Sequence, residues 1–283
     1  MSNEVVKRIL QGAVDMHMHA APDPRAERSV DAYQAAVQAR DLGMGGIVLK
    51  SHEYPTAPVA QLVGKLVPGI AVVGSLSLDY GVGGLNPHAV EWSAKMGARV
   101  VWMPTFDSVS NRKAKGMTGG VPLLGEDGRL LPQVQEVLEV VKKYDMVLCT
   151  GHISEREVRA LSAEVFKSGI SRYIMTHPFS HSMEPLSLDL QKDLAEKGAV
   201  VEHCFVATTA FSGRLDPRKI VEAVKFVGAE RCLLSTDFGQ AFNPTPAEGM
   251  RVMVATMLQC GLTEKELSLL VKENPRRLLG LGN

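Results

Sequence analysis

Eight times along its 283 residues the chain runs through a short apolar stretch, a turn and then an amphipathic stretch, and this rhythm constrains the fold more than any other feature. The apolar runs are 13–19 (AVDMHMH), 45–52, 69–78, 98–104, 145–152, 172–177, 199–205 and 231–238. They are rich in Val, Ile, Leu and Met, the composition of strands buried on both faces. The stretches between them carry helix signals. Ser29 is placed to cap a helix running through Arg40, and Asn86-Pro87 opens the helix after the third run. Ser154 caps a helix ending at Gly169, Asp216-Pro217 opens another, and Thr263 with Glu266 forms a capping box for the last. Strand and helix in alternation require parallel pairing through right-handed crossovers. Eight such units predict an α/β fold, a single closed (β/α)8 or TIM barrel spanning 1–283, in preference to an open doubly wound sheet. The first strand is followed by HAAPDPR, not by the glycine-rich loop that a dinucleotide fold needs.

One connection departs from the rhythm. Residues 105–132 show no helical period and are dense in glycine and proline, so they are expected to be a long loop after strand four that shapes an entrance. Composition closes off other classes. With 31 basic and 31 acidic residues the formal charge is zero, which argues against a nucleic-acid binder. No apolar run reaches the ~18 residues a membrane span needs. The start of the chain lacks a long apolar core and does not look like a signal peptide. Cys149, Cys204, Cys232 and Cys260 are widely spaced, without a CxxC pair, and the expected location is a reducing cytoplasm.

The chemistry gathers at the strand ends, the face on which barrel active sites form. Strand one ends His17-Met18-His19, and residues two apart on a strand share a face. Strand five ends at His152, strand six at His177 and strand eight at Asp237. Polar groups buried without partners cost several kcal/mol, so four strands ending this way are hard to ascribe to packing. Three imidazole nitrogens drawn from these four histidines, with the Asp237 carboxylate oxygen, suit Zn²⁺, with Mn²⁺, Fe²⁺ or Ni²⁺ as competitors.

These five residues, together with the closing segment ENPRRLLGL at 273–281, resemble the metal site and terminal helix of the amidohydrolase superfamily. The resemblance implies that His17, His19, Asp237 and the histidine of strand five or six hold one or two divalent ions. It implies that Asp237 takes a proton from the attacking water, and that His177 either binds the metal or orients the substrate. Many two-metal members have a lysine or glutamate at the end of strand four. Here that strand ends Met103-Pro104-Thr105, which favours one ion. The expected activity is hydrolysis of an amide, amidine, ester or lactone carbon. The alternative is decarboxylation or C–C cleavage of a carboxylated substrate at the same site.

Further residues are candidates for the substrate. Lys50 and His52 end strand two and are placed to grip an anion, as is Arg25 after strand one. Lys50 is also the one strand-end lysine that could bridge two ions. Glu202 and His203 lie on opposite faces of strand seven, so at most one faces the site; His181 is placed near the mouth, and Arg112, Lys113 and Lys115 make a basic tip on the long loop. The expected partner is a small molecule, neither nucleic acid nor membrane, with homo-oligomerisation left open.

Overall fold

In the computed structural model of the chain, residues 3–179 and 185–282 are described; His181 falls outside them. All eight predicted strands form: β1 Val14–His19, β2 Gly46–Lys50, β3 Ala71–Ser77, β4 Ala98–Trp102, β5 Val147–Cys149, β6 Tyr173–Thr176, β7 Val200–Cys204 and β8 Cys232–Ser235. They pair in sequence order and in parallel throughout. The sheet closes on itself where Asp237 donates its backbone N–H to the carbonyl of His17 and His19 donates to Phe238, each at 2.7 Å. The architecture is the (β/α)8 barrel that the repeat predicts.

The unbroken apolar runs follow from burial on both sides. Val48, Val100, Val147, Ile174, Val200 and Leu233 fill the barrel interior. Their neighbours Leu49, Val101, Leu148, Met175, Val201 and Leu234 face the surrounding helices. β1 breaks this alternation. Val14 and Met16 point inward and Met18 outward. Between Asp15 and Met18 the strand carries one residue more than β2, which pairs Asp15 with Ile47 and Met18 with Leu49. This bulge reverses the side-chain parity, so His17 and His19 also face the interior.

The crossover helices are α2 Ala32–Asp41, α3 Ala57–Leu66, α4 Pro87–Lys95, α6 Pro132–Lys143, α7 Glu155–Ser168, α8 Leu188–Glu196, α9 Pro217–Val227 and α10 Pro246–Gln259; α1 Asn3–Leu10 precedes β1. The caps at Asn86, Ser154 and Asp216 each accept a backbone N–H, and Gly169 ends α7 in the left-handed conformation. At α2 the cap is Asp31 in place of Ser29: Asp31 accepts from Gln34 N at 2.7 Å and Gln34 Oε1 accepts from Asp31 N at 3.0 Å. Ser29 is unavailable because its N–H donates to Gly239 and the next carbonyl, Val30, accepts from Ala21, which holds the segment extended. The stretch 105–132 also differs from expectation. It contains a short helix, α5 Val109–Ala114, started by the Ser108 side chain, which six residues are too few to announce as a period.

The Thr263–Glu266 capping box forms at α11 Glu264–Ser268, which passes through a π-helical stretch, Leu269–Glu273, into α12 Asn274–Leu279. Leu278 and Leu279 join the interior core, so this tail floors the barrel at the end opposite the strand C-termini. No helix among the described residues is long and apolar enough to cross a membrane.

Candidate active site

Each of the five strand-end residues reaches the same buried centre. His17 Nε2 lies 3.2 Å from Asp237 Oδ1, and His19 Nε2 lies 3.1 Å from the same oxygen. His152 and His177 face each other with their Nε2 atoms 3.0 Å apart, and the His17 and His177 ring centroids are 5.8 Å apart. His17, His19 and Asp237 offer three ligand atoms all within 4.8 Å of one another; His152 and His177 form a second pair beside His17. Backbone strain accompanies the placement. His177 and Asp237 hold φ of 26° and 53°, two of the four non-glycine residues at positive φ among the described residues. Such conformations persist where the surroundings enforce them.

The electrostatics suit a cation. Burial pushes His19 down to about 3 and His177 to about 4, and holds His152 well below its ordinary value, so these imidazoles are neutral with lone pairs free at neutral pH. Burial would raise Asp237, but His17 and His19 beside it outweigh that and hold it well below the usual carboxylate range. His17 Nδ1 faces Glu202 Oε2 at 3.4 Å, and Glu202 is tethered by the Ser235 hydroxyl at 2.8 Å. Burial lowers the His17 pKa, but Asp237 at Nε2 and Glu202 at Nδ1 outweigh that and raise it, so the ring sits where positive charge is favoured, which a divalent ion on the Nε2 side would supply. The separations of 3.0–3.2 Å also match the ~3.3 Å edge of a tetrahedron built on ~2.0–2.1 Å zinc bonds. A divalent ion therefore fits this donor set.

Lys50 turns inward from the end of β2. Its Nζ lies 2.9 Å from His17 Nε2 and 4.9 Å from the Trp102 ring centroid. Burial lowers its pKa, toward the neutral form that a neighbouring ion tolerates. His52 is buried and stacked between His19 and Phe106, with centroids 5.0 and 3.8 Å away. A cavity of about 260 Å³ opens above these groups, lined by His19, Lys50, His52, His152, His177 and Asp237, with Arg28, Phe106, Lys115 and Phe211 toward the mouth. Phe106 and Lys115 come from the long loop. Arg25 is not among the lining residues: it pairs with Glu53, half-exposed, over the Phe106 ring.

The sequence left the choice between Glu202 and His203 open and did not single out Arg28 or Asp79. Glu202 is the inward member of its pair, while His203 turns outward and stacks on Phe179. Arg28, three residues beyond Arg25, is the buried arginine on the cavity wall, bound through Nε and Nη2 to Asp23 at 2.9 and 2.6 Å. Asp79 and Thr105 stand behind His52 at the ends of different strands, with no local spacing to link them.

The sequence matches, over residues 12–202, a family described as being of unknown function, DUF6282. The chain belongs to that family. The matched part of this DUF6282 chain carries all the histidines of the site, and Asp237 lies beyond it. Among curated proteins none matches the sequence. Solved structures match the fold along nearly the whole chain. A probable dipeptidase, PvdM, from Pseudomonas aeruginosa superposes with a TM-score of 0.70 at 13% identity, over 99% of this chain and 98% of that one. An amidohydrolase from Pseudomonas aeruginosa gives 0.66 at 12%, with the same coverage. A putative 2-pyrone-4,6-dicarboxylic acid hydrolase from Pseudomonas putida gives 0.65 at 16%, over 95% and 98%. The DUF6282 barrel is thus the fold of amidohydrolase-type structures.

Proposed function

We propose that this chain is a metal-dependent hydrolase acting on a small anionic substrate. The observation that carries the reading is the convergence of His17 Nε2, His19 Nε2 and Asp237 Oδ1, with the His152–His177 pair beside them, at the floor of the cavity. His17, His19, Asp237 and His152 would hold a divalent ion, zinc before manganese, iron or nickel. When bound, the ion supplies Lewis-acid polarisation of the scissile group and acidifies the attacking water. One ion is favoured, because β4 ends without a bridging carboxylate. The second cluster of possible ligands, His17 Nδ1, Glu202 and Cys204, has the spacing of groups that orient His17.

Asp237 is held ionised and can take a proton from water and return it to the leaving group. His177 stands across the centre, where it ligates the ion or orients the substrate. Lys50 brings an N–H donor to the side where an oxyanion would form. At the mouth, Arg28 is fixed by Asp23, and Lys115 makes no ion pair among the described residues. Their charge suits a carboxylate at the far end of the substrate. The names of the structural relatives, a dipeptidase and a hydrolase of a dicarboxylic acid, agree with that class. The setting we infer is cytoplasmic, with the small substrate as partner.

Metal analysis of the untreated protein, with a His17→Ala/His19→Ala variant as control, tests the reading. We expect stoichiometric metal in the wild type and little in the variant, with the barrel still folded. Full occupancy in the double variant would overturn it. Products decide the reaction: gain of one water marks hydrolysis, and release of CO₂ marks decarboxylation.

A further inference from the structure

We propose that His52 selects the substrate: held by Asp79 acting through Thr105, it presents a hydrogen-bond acceptor to the cavity and so favours amides and amidines over esters and lactones. The inference rests on the hydrolase reading for its reaction and on separate geometry for its chemistry. Asp79 follows β3 and is fully buried. Its Oδ1 accepts the backbone N–H groups of Thr105 and Asp107 at 2.8 and 2.9 Å, and its Oδ2 accepts the Thr105 hydroxyl. Burial raises the Asp79 pKa, and against it the three donors converging on the carboxylate, two of them backbone N–H groups that can only donate, favour its acceptor-only form. The single Thr105 hydroxyl proton is thereby committed to Asp79. The same oxygen lies 2.6 Å from His52 Nδ1 and has only lone pairs left to offer. The hydrogen bond therefore runs from His52 Nδ1–H to Thr105, and the neutral imidazole carries its proton on Nδ1.

The tautomer determines what the cavity meets. His52 lines it, and Nε2 has no hydrogen-bond partner among the described residues. The ring cannot turn over to offer the other nitrogen, because His19 and Phe106 stack on its two faces with interplanar angles of 24° and 10°. A fixed lone pair beside the reaction centre is satisfied by an N–H next to the scissile carbon. It is opposed by an ester or lactone oxygen, which brings a second lone pair. Sites built around such a buried polar atom discriminate strongly, because the wrong substrate leaves it unpaired. It follows that an anion is ill suited to His52, and that Arg28 and Lys115 are the groups to meet the substrate's carboxylate.

Two measurements test this. Long-range ¹H–¹⁵N correlation spectra of the full chain labelled in histidine, with His52→Gln to assign the signals, should show Nδ1 protonated and Nε2 bare. Thr105→Val should abolish that pattern for His52, and Thr105→Ser should restore it. A proton on Nε2 in the wild type, which is what a protonated Asp79 driving the chain in reverse would give, overturns the proposal. The second measurement compares N-acylglycines with the matching O-acylglycolates on zinc-loaded protein. It reads kcat/KM where there is turnover and Kd where there is none. Thr105→Val should move the amide-to-ester ratio toward the ester by about tenfold, and Thr105→Ser should leave it near wild type. An equal loss on both, or binding of the glycolates alone or of neither probe, overturns it. Metal-free protein with the predicted tautomer and ratio would instead remove the hydrolase reading and leave the selection standing.

Discussion

Gly239 offers the sharpest test of how the barrel aims its ligands. It follows Asp237-Phe238 at φ of 135°, and its carbonyl accepts from Ser29 at 2.9 Å. A Cβ there would lie 2.0 Å from the His19 carbonyl oxygen and 2.8 Å from the His19 Cβ. Real Cβ atoms stay beyond 3.0 Å, so about 1 Å of movement is required, and the atom in the way is backbone. That backbone is held by the 2.7 Å bond from His19 N to Phe238 O. Gly198 supplies an internal control: its φ is 114° and nothing lies within 4 Å of an added Cβ. Gly198→Ala should show conformational strain alone, about 1–2 kcal/mol. Gly239→Ala should add an overpacking cost of about 1–3 kcal/mol and shift His19 against Asp237. A displacement of about 1 Å in such a site costs about 10²-fold in rate. Urea midpoints of the two variants, with metal content after dialysis, measure both effects. Equal midpoints and full metal in Gly239→Ala would refute the claim that this contact sets the ligand geometry.

Two further outcomes follow from the packing. Glu202→Gln removes the charge facing His17 Nδ1, and metal affinity measured against a chromogenic chelator should fall about 10–100-fold, with circular dichroism unchanged. Unaltered affinity would mean that Glu202 only fills space. Leu279→Ala empties part of the barrel floor and should cost about 2–5 kcal/mol in urea unfolding while the folded protein keeps its metal; an unchanged midpoint would refute the plug.

The strands were legible because a doubly buried strand must be apolar on both sides, as Val48-Leu49 and Val100-Val101 show. Local caps such as Ser154 with Glu157 were legible because both partners lie within four residues. The site was legible only as far as it sits on strand ends. What lies behind it came from tertiary pairing: Asp79 meets Thr105 across 26 residues, and Glu202 meets His17 across 185. Asp31 displaced Ser29 as a cap because Gly239, 210 residues away, claims the Ser29 backbone.

The β1 bulge shows how few groups set the site. In a regular strand Val14 and Met16 would share one face, and Asp15, His17 and His19 the other. Such a strand puts either its core residues or its histidines on the wrong side. The extra residue between Asp15 and Met18 allows both sets to point inward. The buried carboxylate of Asp15 secures it. Oδ1 accepts from His17 N at 3.2 Å and from Thr236 N at 3.1 Å, and Oδ2 accepts the Thr236 hydroxyl at 2.5 Å. Thr236 Oγ1 in turn accepts from Phe238 N at 3.1 Å, so it also holds the turn in which Asp237 takes its left-handed φ. One carboxylate thus fixes the bulge that turns His17 inward and the turn that brings Asp237 to meet it. The geometry of the His17–Asp237 pair is settled by the fold itself.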